Sequence, residues 1–209
     1  MSNEAQQRWD LRYREGDLPW DTGEPAPELV TRLPGLGLVP GSAALEVGAG
    51  TGTNAVWMAL QGLEVTAVDI SATAAERARA RAQAAGAQLR FEVQDWLVEP
   101  PVPAGSQALV FDRGCFHVHD AAGRSRFAEQ AHHVLAPDGA WLSLAGNADE
   151  ESLGRGPPRV SVADIAAAVE PWFEVQELRA VRFHGQVGAL AWLGLYRRRR
   201  PERPGFTHD

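Results

Sequence analysis

An α/β fold built on a doubly wound parallel sheet is what this sequence predicts, and three observations predict it. Short apolar, β-branched runs alternate with amphipathic helical stretches from Ala43 to Val169. The turn Gly48-Ala49-Gly50-Thr51-Gly52 joins the first such run to the first of these helices. The last two runs follow one another with no helical pattern between them, so the sheet closes on an antiparallel hairpin.

Gln7 to Arg14 reads as a short amphipathic helix, with Trp9 and Tyr13 on one face. Gly16 to Pro27 is a loop, punctuated by Pro19, Gly23, Pro25 and Pro27. Glu28 to Leu33 forms a second short helix that Pro34 stops. Strands are expected at 43–48, 64–69, 89–94, 107–111 and 140–145, with helices at 52–61, 71–85 and 123–135. In the helix after Asp69, Thr73 and Glu76 have capping-box spacing, and Ser71 is an equally good cap. Helix 123–135 gathers Phe127, Ala131, Val134 and Leu135 on one face, then turns at Pro137-Asp138-Gly139. Asn147 to Pro158, rich in Gly, Pro and charge, reads as a mobile loop. Ser161 caps a helix over 161–169 whose apolar stripe is Val162, Ile165, Ala166 and Val169. Phe173 to Phe183 and Ala189 to Tyr196 are the hairpin strands, turned by Gly185 and Gly188. The chain reads as one domain over 1–209, with an N-terminal lid at 1–34, a core at 40–196 and a basic tail at 197–209.

Composition narrows the function classes. Hydrophobic residues make up 44% and charged residues 22%, enough apolar surface for a globular core. A net charge of −7 argues against a general binder of nucleic acid or of anionic membranes. The run Arg197-Arg198-Arg199-Arg200 opposes that balance and reads as a solvated tail. The single cysteine, Cys115, excludes an internal disulfide and suits a reducing compartment. Met1 to Arg14 is polar, and no run reaches the ~18 apolar residues of a membrane span, so a cytoplasmic location is expected.

The glycine turn and Asp69 form a nucleotide-binding βαβ pattern. Thr53 stands where a dinucleotide fingerprint carries its third glycine, which counts against a pyrophosphate and for a nucleoside without phosphates, such as S-adenosylmethionine. Ligands of open α/β sheets bind at the carboxyl ends of the strands. The candidate cofactor residues there are Glu46, Gly48, Ala49, Gly50, Gly52, Asp69, Ile70, Asp95, Trp96 and Asp112. Asp69 would accept from ribose hydroxyls. Asp95 would accept from an adenine amine or serve as a turn residue, with Ile70 and Trp96 flanking the ring.

Several segments carry a family resemblance. Glu46-Val47-Gly48-Ala49-Gly50-Thr51-Gly52, Val68-Asp69-Ile70, Gln94-Asp95-Trp96 and the terminal hairpin resemble, in that order, a class I S-adenosylmethionine-dependent methyltransferase. The resemblance implies a Rossmann-like three-layer αβα fold with strand order 3-2-1-4-5-7-6 and an antiparallel last strand. It also implies S-adenosylmethionine as cofactor and S-adenosylhomocysteine as product. Trp9-Asp10-Leu11-Arg12-Tyr13 with Pro19-Trp20-Asp21-Thr22-Gly23-Glu24-Pro25, and Asp112-Arg113-Gly114, resemble the thiopurine and thiol methyltransferase-like group. In that group the N-terminal aromatics enclose the cofactor, which makes Trp9, Tyr13 and Trp20 lid residues. This chain lacks the longer insertions of the thiopurine enzyme, so only the sulfur-leaning subclass carries over.

Methyl transfer from a sulfonium needs alignment, exclusion of water and a fate for the nucleophile's proton. A thiol, with a pKa of about 8.5, supplies much of its own ionisation, whereas an alcohol needs a base. The catalytic candidates are Arg113 and His117. Arg113 would hold an anionic acceptor or a thiolate, or pair with an acid such as Asp112 to orient the loop. His117 would take a proton or pack in the loop. No metal is expected, since His117, His119 and Asp120 lack a clear fourth ligand. Arg155 or Arg159 would close over an acidic group. The expected partner is a small-molecule acceptor, with thiol sulfur ahead of oxygen or nitrogen. A cofactor-binding module without turnover is the reading from another class.

Overall fold

The computed structural model describes residues 3–150, 158–185 and 188–199. Its seven strands are β1 (Ala43–Val47), β2 (Glu64–Asp69), β3 (Leu89–Val93), β4 (Gln107–Arg113), β5 (Leu135–Gly146), β6 (Phe173–Arg182) and β7 (Leu190–Arg198). They lie in the order β3-β2-β1-β4-β5-β7-β6, parallel except for β7, which is antiparallel to both neighbours. This is the order implied by the resemblance.

The sheet is buried on both faces, and the two-residue period of its strands feeds two cores. Ala44, Leu109, Phe111, Leu142 and Leu144 pack with α2 (Pro27–Arg32) and α3 (Thr53–Leu60), through residues such as Leu29 and Met58. Leu45, Val47, Val110 and Trp141 pack on the other face with α5 (Ala121–Val134) and α6 (Val162–Val169), through Phe127 and Ile165. The chain begins with α1 (Asn3–Glu15), which packs on α4 (Ala72–Ala85).

Local chemistry sets the helix starts. The Ser71 hydroxyl accepts from the Ala74 amide, so Ser71 is the cap of α4 and the Thr73–Glu76 pair is not. Asp120 caps α5 in the same way, which starts that helix at Ala121, not at 123. Ser161 and Asp164 close a full capping box on α6. Strand β5 starts at Leu135 and runs through the expected Pro137–Gly139 turn, absorbing it as a register shift against β4 between Gln107 and Leu109. The Arg197 expectation also changes. Arg197 and Arg198 belong to β7, and Arg197, Arg198 and Arg199 donate to the carbonyls of Asp138, Leu135 and Glu170 respectively. They are staples at the lower edge of the sheet, not a solvated tail. Arg200 lies outside the described residues, as does Arg155. Among the described residues, no helix is long and apolar enough to cross a membrane.

Candidate active site

The carboxyl ends of β1, β2, β3 and β4 meet at one edge of the sheet, and the glycine turn lies at its centre. Gly48, Gly50 and Gly52 have φ of 67°, 55° and 77°, a region that side chains with a Cβ seldom occupy. The space around them is as restrictive. A Cβ at Gly48 would sit 2.6 Å from the Cys115 Cβ, one at Gly50 2.8 Å from the Tyr13 hydroxyl, and one at Gly52 2.8 Å from the Ala78 Cβ. The turn is a cradle of bare backbone, with Ala49 buried within it.

Asp69 ends β2 beside this cradle. Its Oδ2 accepts from the Gly50 amide at 2.8 Å and its Oδ1 from the Ser71 amide at 2.9 Å. The Ile70 amide also acts on this carboxylate, which with about four acceptor sites still has room for a hydroxyl donor. Burial pushes its carboxyl up to about 6, against the pull of the Ser71 and Gly50 amides. Ile70, half-buried, follows it.

The N-terminal segment closes on this edge through two aspartates that the sequence reading did not single out. Asp10 Oδ1 accepts from the Ser71 hydroxyl at 2.5 Å and the Thr73 amide at 3.1 Å, tying α1 to the start of α4. Burial alone would raise the Asp10 carboxyl, but these donors hold it below its ordinary value. Asp21 accepts from the Thr51 hydroxyl at 2.6 Å and the Thr53 hydroxyl at 3.3 Å, while Arg81 donates to the Thr51 carbonyl at 3.0 Å. Both acids follow a tryptophan, and that repeated Trp-Asp pair was the available signal. Trp20 meets Trp9 edge-on at 5.9 Å and Tyr13 at 6.4 Å, under the Arg12 guanidinium at 4.4 Å. The three expected lid aromatics thus form one cluster, with the Tyr13 hydroxyl against Gly50.

Glu46 is 2% exposed. Its Oε1 accepts from Asn54 at 3.0 Å, and Asn54 accepts from the Ala26 amide at 2.8 Å. Its Oε2 has no partner among the described residues. Burial pushes this carboxyl up to about 8, so it is largely protonated at neutral pH.

The end of β4 departs from expectation. Asp112 is fully buried, with Oδ1 accepting from the Trp141 indole at 2.9 Å and Oδ2 from the Phe116 amide at 3.0 Å. It faces the core and braces the loop, so it is not placed to touch a cofactor. Arg113 has no carboxylate within ion-pair distance among the described residues; it donates to the Trp20 carbonyl at 3.0 Å and the His184 carbonyl at 2.6 Å. Cys115 packs over Gly48, and burial raises its thiol well above the ordinary value.

His117 is 2% exposed, and its Nδ1 accepts from the Gly146 amide at 2.8 Å. That bond assigns the neutral ring its proton at Nε2. Burial lowers its pKa to about 4. A ring so held donates and does not accept, which corrects the expectation of a base. His119 is partly buried beside Phe127 at 6.1 Å.

At the end of β3, Asp95 Oδ1 accepts from the Leu97 amide at 3.0 Å, the turn role weighed for it. Trp96 is 5% exposed and packs edge-on to Phe127 at 5.6 Å. It belongs to the core beneath the edge, and its buried indole N–H has no partner among the described residues. Arg159 donates to the Glu150 carbonyl. A cleft of about 640 Å³ at the opposite edge, between Pro100 and Trp172, is not part of this constellation. Its cations are committed, Arg126 to Glu129 and Arg198 to His132 and the Leu135 carbonyl.

A cradle of crowded glycines, an aspartate with spare lone pairs and a buried orphan carboxyl oxygen fit an adenosyl ligand bearing an amino-acid tail. The family comparisons agree. A methyltransferase domain model matches residues 44–139. An Arabidopsis thaliana protein named probable thiol methyltransferase 2 is 31% identical over 173 residues, 82% of this chain and 75% of the relative. A protein-L-isoaspartate O-methyltransferase of Methylorubrum populi is 31% identical, covering 73% of this chain and 71% of that one. A solved structure described with the conversion of a disulfide bond into a thioacetal group during echinomycin biosynthesis superposes with a TM-score of 0.81, at 26% identity and 92% coverage of both chains. The chain belongs to the class I S-adenosylmethionine-dependent methyltransferases, and S-adenosylmethionine is its cofactor. Within that family it is of the thiol methyltransferase-like type.

Proposed function

We propose that the chain transfers the methyl group of S-adenosylmethionine to the sulfur of a small-molecule thiol. One observation carries the reading: among the described residues, neither candidate base on the stretch from β4 to the following loop is free to take a proton near neutral pH. His117 has its Nδ1 engaged by Gly146, and Asp112 has both oxygens engaged within the core. Burial pushes up the Tyr13 hydroxyl and the Cys115 thiol, so neither is ionised at neutral pH. A nucleophile that ionises by itself suits such a site, and a thiol does. The thiol methyltransferase relative supports the same acceptor.

The cofactor, when bound, supplies a methyl already activated by its positive sulfur. The chain's part is to bind, align and keep water out. In this reading Gly48, Ala49, Gly50 and Gly52 admit the ligand to the backbone, Asp69 accepts from its ribose hydroxyls and Glu46 lies near its amino-acid end. Ile70 and Asp95 border the adenine. Residues up to Pro34 form the lid of a single domain, with Trp9, Tyr13 and Trp20 as its apolar underside. His117 donates through Nε2–H toward the acceptor.

Incubation with methyl-labelled S-adenosylmethionine and a panel of thiols, phenols and amines tests the acceptor. Label in thioethers is expected. Turnover of phenols or amines with none of any thiol would overturn the sulfur assignment.

A further inference from the structure

We infer that Arg113 is a positioning residue, whose guanidinium brackets the N-terminal segment against the turn of the β6–β7 hairpin and so holds a roof over the acceptor. The inference goes beyond the choice of acceptor and holds for any nucleophile.

Two donors of one planar group reach two distant segments. Nη1 bonds the Trp20 carbonyl at 3.0 Å and Nη2 the His184 carbonyl at 2.6 Å. The guanidinium also lies 5.2 Å from the Phe183 ring centre. The same two segments meet independently of Arg113. His184 Nε2 lies 3.1 Å from Glu24 Oε2. Gly185, at φ 137°, is so close that a Cβ there would come within 3.1 Å of the Thr22 methyl. The bracketed segment carries Trp20, which packs on Tyr13, and Asp21, which bonds Thr51 of the glycine turn. Arg113 therefore stands at the end of β4 as the post between the cofactor cover and the hairpin. Its shape matters more than its charge. A fork of donors can serve two carbonyls at once, and the compact ammonium of lysine cannot span them.

The test compares Arg113→Lys and Arg113→Ala using two thiols of similar acidity, one neutral and one carrying a carboxylate. Hydrogen exchange is followed over residues 17–26 and 178–185. Both substitutions are expected to raise the acceptor KM about tenfold, equally for the two thiols, because a roof shifted by a fraction of an ångström misplaces the acceptor. Both segments lose protection together, and lysine gives no rescue. Gly185→Val, which presses a branched side chain toward Thr22 and leaves Arg113 in place, gives the same pattern. The inference is overturned if Arg113→Lys behaves as the parent, if only the carboxylate-bearing thiol is affected, or if both segments keep their protection. Should Arg113→Ala fail to fold, the lysine and valine variants decide. Should no thiol be turned over, the exchange data still decide, while the acceptor assignment alone falls.

Discussion

Strands β2 and β4 each carry an aspartate after an apolar run near the carboxyl edge of the sheet, Asp69 as the last residue of β2 and Asp112 just before the last residue of β4. Asp69 and Asp112 are both buried, and burial pushes both up to about 6. They differ in where their hydrogen bonds come from. Asp69 is held by amides of the glycine turn and of the cap of α4, all at the ligand edge. Asp112 is held by the Trp141 indole and by Phe116, inside an aromatic core. A perturbed carboxyl at a strand end is thus no sign of function in itself. The direction its free lone pairs face decides.

The sharpest break of the pair comes from removing each acid in turn. Asp69→Ala is expected to weaken S-adenosylmethionine binding about a hundredfold, the loss of about two charge-assisted hydrogen bonds, measured by calorimetry on the folded variant. Asp112→Ala is expected to do the reverse. It strands an indole N–H and an amide in the core, costing about 3 kcal/mol in denaturant unfolding, with cofactor affinity unchanged in the folded fraction. Equal binding losses in the two variants would erase the distinction.

His117 extends the contrast to a group that donates. His117→Ala is expected to lower the methyl-transfer rate about tenfold, the loss of one hydrogen bond, with the same ratio from pH 5.5 to 8 because the ring titrates near 4. A loss of 10²-fold or more that vanishes at low pH would restore the base role.

Asp21→Ala probes the lid side of the cradle. Losing its bonds to Thr51 and Thr53 is expected to raise the cofactor Kd about fivefold, with a smaller effect on stability. An unchanged Kd would detach the lid from the cofactor.

Glu46 gives the most diagnostic effect, because it is read from a slope with pH. Its folded pKa of about 8 lies above the ordinary carboxyl value of 4.5, so the fold holds its proton more tightly than the unfolded chain does. Its contribution is present below pH 4.5 and is lost as pH rises through 8. Glu46→Gln should therefore remove part of the alkaline decline in unfolding free energy across that window, and an unaltered slope would contradict the buried, protonated state.

These contrasts show what the sequence could carry. The alternation of strands and helices followed from local signals, because each apolar run, glycine and cap acts on its near neighbours, whereas the strand order came only with the family resemblance. Asp69 was legible for the same reason, since its contacts to Gly50 and Ser71 belong to one βαβ unit. Asp10 and Asp21 were not, because their partners Ser71, Thr73 and Thr51 come from helix starts and turns far along the chain. Asp112 and Trp96 were read as cofactor contacts because a strand-end position does not reveal which way a side chain turns. His117 was read as a base because its tautomer depends on the Gly146 amide, which only the register of β4 and β5 brings near.

The central claim is methyl transfer to a sulfur that ionises without a protein base. The direct measurement is kcat/KM against pH for a series of thiols of differing acidity. The rising limb should move with each thiol's own pKa. A limb fixed at one pH for every thiol would report a titrating group of the protein and contradict the account.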